Sequence, residues 1–290
     1  MTIRKILKKS IEELEKAQIP GACLDARVLM KHVLGWSEAE IIKNMNQIIS
    51  LRLSKAIEKL VTRRALGEPV AYILGSKEFY GLNFLVNKNV LIPRPESEWL
   101  VDESIKSVKR DEKSIKSKKQ NILDMGTGSG CIIIALTKSL YGPSTLKTFD
   151  LFASDISPDA LIVAQKNAKN LGVTNINFIE SDLFEKIDSS LKFDIIIANL
   201  PYVPENDTND STKFEPKNAI FAPDNGTEII KKFLAQAKNY LSNNGTILIE
   251  LDPRNAMEIK SCAKENFPNA TIELAKDLAD FDRYLTIQLS

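Results

Sequence analysis

Histidine is almost missing from this 290-residue chain, which has only His32, and cysteine is limited to Cys23, Cys131 and Cys262. No two cysteines form a C-x-x-C pair, so there is no thiolate framework for zinc, and the usage fits a reducing compartment. A Ser-His-Asp triad or a histidine-built metal centre has almost nothing to be assembled from, and no metal site is expected. Neither sign of charge is in excess: 39 Lys and Arg stand against 38 Asp and Glu. That balance offers no broad electrostatic grip on nucleic acid, and stable binding to it is not expected. No apolar run is long enough to span a bilayer. The start, Met1 to Glu15, places Ile3, Ile6, Leu7, Ile11 and Leu14 at helical spacing among lysines and lacks the unbroken apolar core of a signal peptide. The expectation is a cytoplasmic protein with no membrane partner.

Apolar residues make up 43% and charged residues 27% of the chain, the balance of an ordinary globular protein. Its length allows one large domain or two. The first part reads as helical. One amphipathic helix ends at Ile19-Pro20-Gly21, a second runs from Leu24 to Leu34 before Gly35, and a third opens with a Ser37…Glu40 capping box. A fourth, Ser50 to Leu66, aligns Leu53, Ile57, Leu60 and Val61 and carries Arg63 and Arg64 near its end. Those arginines read either as solvated helix-end charges favoured by the dipole or as a binding feature. Strand-like runs follow at Glu78-Phe79-Tyr80, Phe84-Leu85-Val86 and Val90-Leu91-Ile92, a hairpin linking two domains. The stretch from Ile105 to Gln120, rich in lysine and serine, reads as an exposed helix end and loop.

From Asn121 onward strands alternate with helices. Strands are expected at Ile122–Asp124, Leu151–Ser154, Ile176–Ile179, Phe193–Ala198 and Thr246–Leu251, and helices at Ile132–Ser139, Pro158–Leu171 and Gly226–Leu241. The alternation predicts a mostly parallel sheet covered on both faces, an α/β Rossmann-like domain whose ligands bind beyond the carboxyl ends of the strands. The expected division is a helical domain over 1–76 and a hairpin plus α/β domain over 77–290.

Chemistry-bearing residues fall at those strand ends. Ile122-Leu123-Asp124-Met125 runs into Gly126-Thr127-Gly128-Ser129-Gly130 and then directly into an apolar helix. A nicotinamide-type G-x-G-x-x-G would need glycine where Cys131 stands; the G-x-G-x-G spacing is that of S-adenosylmethionine enzymes. The next strand ends in Ser154-Asp155, a carboxylate suited to ribose hydroxyls, and the one after in Ser181-Asp182-Leu183-Phe184, placed to meet an adenine ring. Taken singly, either Asp is more simply an N-cap or turn residue. The fourth strand ends in Asn199-Leu200-Pro201-Tyr202. There the Asn199 side-chain oxygen and the Leu200 carbonyl can each take one N–H of a planar NH2 group, so that its lone pair is held in line with a methyl donor. Pro201 biases Leu200 toward an extended backbone, and Tyr202 offers a face on which a flat group can stack.

These residues resemble the HemK/PrmC family, the peptide chain release factor glutamine N5-methyltransferases. The most specific part is the lead-in: Arg63-Arg64-Ala65, Gly67-Glu68-Pro69-Val70-Ala71-Tyr72-Ile73-Leu74-Gly75, Glu78-Phe79-Tyr80-Gly81 and Leu91-Ile92-Pro93-Arg94-Pro95-Glu96-Ser97-Glu98. The resemblance implies a small helical bundle for substrate recognition, a β-hairpin linker, and a seven-stranded methyltransferase domain whose last strands form an antiparallel edge. It implies S-adenosylmethionine as donor, S-adenosylhomocysteine as product, and as substrate the glutamine of the Gly-Gly-Gln loop in class-one release factors. Gly126, Thr127, Gly128, Ser129 and Gly130 would line the cofactor, Asp155 would hold its ribose, and Asp182 and Leu183 would flank its adenine. Asn199, Leu200, Pro201 and Tyr202 would grip the glutamine amide, with Asn199 also beside the cofactor.

Three positions depart from the family's usual pattern. Leu200 replaces the first of two prolines, keeping the carbonyl acceptor with a less rigid backbone. Leu183 replaces an aromatic, with Phe184 as the alternative contact for adenine. Glu250-Leu251-Asp252-Pro253-Arg254 stands where Glu-Ile-Gly and a nearby Gln are usual. The mechanism expected is in-line displacement without a strong general base. The rival activities are amino methylation of adenine or guanine in DNA or RNA, since a flipped base presents the same flat NH2, and a binding protein with a vestigial methyltransferase domain. The sequence is silent on oligomeric state; a monomer is the working expectation.

Overall fold

The structure, a computed structural model, describes residues 1–111, 119–140, 149–207 and 212–289. Two compact units emerge: residues 1–76 with 212–214, and residues 77–207 with 215–289.

The first unit is helical, with α1 (Ile3–Lys16), α2 (Ala22–Leu34), α3 (Glu38–Lys43), α4 (Leu51–Ala65) and α5 (Val70–Leu74). Ile3, Ile6, Leu14, Leu29, Met30 and Ile57, spaced for one face of each helix, form its core. Ser37 and Glu40 close the expected capping box: the Ser37 N–H donates to Glu40 Oε2 at 2.7 Å and the Glu40 N–H to Ser37 Oγ at 3.3 Å. Helix α5 was not legible, because five residues between Pro69 and Gly75 are too few to show a period. Arg64 is neither a solvated charge nor open to a ligand. Its Nε donates to Asp25 on α2 at 2.7 Å and its Nη1 to the carbonyls of Gly67 and Glu68, tying the end of α4 to α2. Arg63 is likewise paired with Glu68.

In the second unit β1 (Ser76–Phe79) and β2 (Leu82–Leu85) form the hairpin. Val90–Ile92 is not a third strand: the Ile92 N–H is taken by the buried Glu215 carboxylate at 3.0 Å, so it joins no ladder. Helix α6 (Glu98–Asp111) follows, and positions 112–118 of the lysine-rich stretch lie outside the described residues.

Seven strands then build one sheet: β3 (Gln120–Met125), β4 (Phe149–Asp155), β5 (Ile176–Glu180), β6 (Phe193–Ala198), β9 (Leu241–Glu250), β10 (Thr271–Lys276) and β11 (Asp282–Gln288), in the order β10-β11-β9-β6-β3-β4-β5. The pairs from β9 to β5 are parallel, and β11 is antiparallel to both β9 and β10, giving the expected antiparallel edge. The two-residue strands β7 (Val203–Pro204) and β8 (Phe221–Ala222) pair apart from it.

The alternation of side chains sorts the apolar runs into two cores. Ile196, Ala198, Ile247 and Ile249 pack with helices Glu228–Ala237 and Ala256–Asn266 on one face; Ile195, Ile197 and Leu248 pack with α6 and α7 (Cys131–Leu140) on the other. Helix α8 (Pro158–Asn170) links β4 to β5. Because β3 has β4 on one side and β6 on the other, the strand order reverses there and leaves a crevice at the carboxyl ends of β3 and β6. Among the described residues no helix is long and apolar enough to cross a membrane.

Candidate active site

A cavity of about 350 Å³ opens at that crevice. Gly126, Thr127, Gly128 and Ser129 line it after β3, Asp155 after β4, Asp182 and Leu183 after β5, and Asn199, Leu200 and Pro201 after β6. Four separate strand ends thus converge on one space. Gly130 and Tyr202 are not among the lining residues.

The glycine loop is locked from beneath. Gly126, Gly128 and Gly130 all have positive φ. The Gly126 and Thr127 N–H groups donate to the Ser154 carbonyl at 2.8 and 2.9 Å. Asp155 completes the lock: Oδ2 accepts from the Gly128 N–H at 2.8 Å and Oδ1 from the Ser157 N–H at 2.9 Å. Burial raises the Asp155 carboxyl above its usual value, against the pull of those backbone donors. Gly130 serves packing instead, since a Cβ there would stand 2.9 Å from Ile134 Cδ1 and 3.2 Å from Ala164 Cβ, where α7 and α8 approach.

Asp124 lies near the end of β3, just before the loop. Its Oδ2 accepts from the Thr127 hydroxyl at 2.7 Å, while Oδ1 is buried with no hydrogen-bond partner among the described residues. Desolvation pushes this carboxyl up to about 7. The cavity wall sets the carboxylates Asp155 and Asp182 beside the apolar Leu183, with Arg94 and Lys232 also lining it. That set fits a cationic, hydroxyl-bearing nucleoside such as S-adenosylmethionine.

Leu183 holds its place at φ 46°, the left-handed region, which costs a residue with a Cβ about 1–2 kcal/mol. Such strain at a cavity wall is a common mark of a ligand contact. Phe184 is not among the residues that line the cavity. It points into the core, stacked on Tyr240 with ring centroids 4.5 Å apart and on Phe233 at 5.7 Å. Leu200 is also packed locally. Its side chain is buried and packs against the loop, so that a Cβ on Gly126 would come within 3.0 Å of Leu200 Cδ2.

Asn199 is held by residues whose role the sequence did not reveal. Its Nδ2 donates to Ser97 Oγ at 2.8 Å and to Glu250 Oε2 at 3.1 Å. Ser97 donates in turn to Glu250 Oε2 at 2.6 Å, and the Tyr202 hydroxyl donates to Glu250 Oε1 at 2.8 Å. Tyr202 thereby braces the loop through its hydroxyl. Burial raises the Glu250 carboxyl, with Ser97, Tyr202 and Arg283 opposing. Among the described residues no donor is bound to Asn199 Oδ1 or to the Leu200 carbonyl. A signal for Glu250 was present, an acid closing the apolar run Ile247-Leu248-Ile249 at a strand end.

Similarity to known proteins extends over both units. Residues 5–75 match the PrmC N-terminal domain and residues 116–287 a methyltransferase domain. A release factor glutamine methyltransferase of Rhodopirellula baltica is 35% identical over 292 residues, 99% of this chain and 96% of that protein. Proteins of the same name from Leptospira interrogans and Vibrio cholerae are 39% and 35% identical, covering 76% and 77% of this chain and 75% and 74% of their own lengths. With both domains matched in order and the Rhodopirellula baltica protein aligned along nearly its whole length, the chain belongs to the release factor glutamine methyltransferase family.

Proposed function

We propose that this protein methylates the side-chain amide nitrogen of the glutamine in the Gly-Gly-Gln loop of class-one release factors, with S-adenosylmethionine as donor and S-adenosylhomocysteine as product. The observation that carries the reading is the pair of open acceptors, Asn199 Oδ1 and the Leu200 carbonyl, at the cavity that Asp155 and the glycine loop also line. An amide NH2 has two hydrogens and a delocalised lone pair. Two fixed acceptors take both hydrogens and so direct the nitrogen.

When bound, S-adenosylmethionine supplies a methyl group made electrophilic by its sulfonium. Asp155 and Asp182 offer acceptors to its hydroxyl and amino groups, and Leu183 an apolar flank. Asn199 and Leu200 position the substrate nitrogen and match the positive charge that develops on it, which is where most of the acceleration arises. No strong base is required, because the nitrogen becomes acidic only as the new N–CH3 bond forms and the S–CH3 bond breaks, and it then gives its extra proton to water. The helical unit, residues 1–76, is assigned to recognition of the factor, and a substrate of this kind places the enzyme in the cytoplasm.

The test is mass spectrometry of an unmodified release factor incubated with the protein and S-adenosylmethionine. A single methyl group on the Gly-Gly-Gln glutamine is expected. Cofactor binding with no methyl on the factor would overturn the substrate assignment and bring methylation of a nucleic-acid base forward.

A further inference from the structure

We propose that Glu250, acting with Ser97, is the positioning residue that decides which face of the Asn199 amide meets the substrate, an inference that rests on the methyl-transfer reading above. An asparagine amide fits its site equally well in two orientations, because oxygen and NH2 differ little in size. Only one of them offers an acceptor to a substrate NH2. Packing cannot choose between two shapes so alike, so the choice falls to hydrogen-bond partners.

Here both partners accept. A carboxylate has no hydrogen to give, and three donors, from Ser97, Asn199 and Tyr202, converge on Glu250. Ser97 spends its only hydroxyl hydrogen on Glu250 at 2.6 Å and therefore turns a lone pair toward Asn199, 2.8 Å away. The two hydrogens of Asn199 Nδ2 meet two acceptors. Flipping the amide would set Oδ1 against both oxygens at once and lose two hydrogen bonds, one of them to a charged group. Oδ1 is thereby the atom left for the cavity.

The partners are themselves held. Glu250 is 1% exposed at the end of β9, next to β6, which delivers Asn199, and Ser97 is 2% exposed. The residue before Ser97 is fastened to β11, because the Tyr284 hydroxyl donates to the Glu96 carbonyl at 2.8 Å. The Tyr284 ring stacks on Trp99 at 4.2 Å. Since Glu250 Oε1 holds Tyr202, one carboxylate grips both ends of the Asn199–Tyr202 loop.

Glu250→Gln keeps the volume but turns a donor NH2 into the cluster, so that Asn199 can be satisfied in either orientation. The experiment pairs two readouts on the full-length protein. The first is hydrogen exchange of the Asn199 side-chain amide by NMR, read with S-adenosylhomocysteine bound and no substrate. Protected Nδ2 protons are expected in the wild type and markedly less protected ones in E250Q. The second is methylation of a release factor, where E250Q is expected to lower kcat about a hundredfold, with KM and cofactor Kd within a few fold. Ser97→Ala, which keeps Glu250, is expected to lose less, and the double variant no more than E250Q. Unprotected Asn199 protons in the wild type, or near-normal kcat in E250Q, would overturn the positioning role. So would a loss explained wholly by weaker cofactor binding or melting. If the wild type leaves the factor unmethylated while the exchange result stands, the substrate reading fails and the positioning of Asn199 does not.

Discussion

The carbonyl group of Tyr202 occupies the space that a side chain on Gly226 would need. An ideal Cβ there would fall 2.8 Å from the Tyr202 carbonyl carbon and closer still to its oxygen. Gly226 also has φ 90° and ends a run of three left-handed residues begun by Asp224 (φ 52°) and Asn225 (φ 53°). The turn is thus built to lie flush against the back of the loop that carries Asn199. Replacing Gly226 by Ala must shift one backbone or the other, and is expected to lower kcat at least tenfold together with a stability loss of about 1–3 kcal/mol. Steady-state kinetics and urea unfolding measure both; an unchanged kcat would show that the loop does not depend on this support.

Asn199→Ala removes the side-chain acceptor while leaving the glycine loop and Asp155 in place. Cofactor affinity should stay within a few fold and turnover should drop about a hundredfold, the scale of losing one preorganised polar contact. Isothermal titration and single-turnover methylation separate the two quantities. Near-normal turnover would remove Asn199 from the chemistry.

Asp155 both lines the cavity and ties Gly128 and Ser157 to the end of β4. Asp155→Ala should weaken S-adenosylmethionine binding by about 10- to 100-fold, the worth of one or two charge-assisted hydrogen bonds. Once cofactor is saturating, kcat should largely recover. A variant that binds normally would move the ribose contact elsewhere.

The Asp124 carboxyl is pushed up to about 7 by burial, far above its ordinary value of 3.8. A group whose folded value is raised binds its proton more tightly in the native state. Its contribution to stability is therefore full below the ordinary carboxylate range and is lost as the pH rises toward 7. Wild-type protein without cofactor should lose stability from pH 4 to 7 relative to Asp124→Asn, with a slope of up to about 1.4 kcal/mol per pH unit. Parallel denaturation profiles for the two proteins would exclude this effect.

Order along the chain already carried the alternation of strands and helices, the crevice that such a sheet must open, and the residue types at four successive strand ends. The reason is local: side-chain period, glycine spacing and caps are written in neighbouring residues, and β3 to β6 appear where those patterns place them. Relations between distant residues were not written there. Asn199 meets Ser97 across 102 positions and Glu250 across 51, and which oxygens and hydrogens face each other depends on how β6 and β9 come together with the turn before α6. The same holds for Phe184, sent into the core by Tyr240, for Ile92, drawn out of a strand by Glu215, and for Tyr202, whose hydroxyl meets a buried carboxylate. Local patterns bring each candidate residue to a strand end; only packing between elements sets the partners that determine the direction in which its polar atoms point.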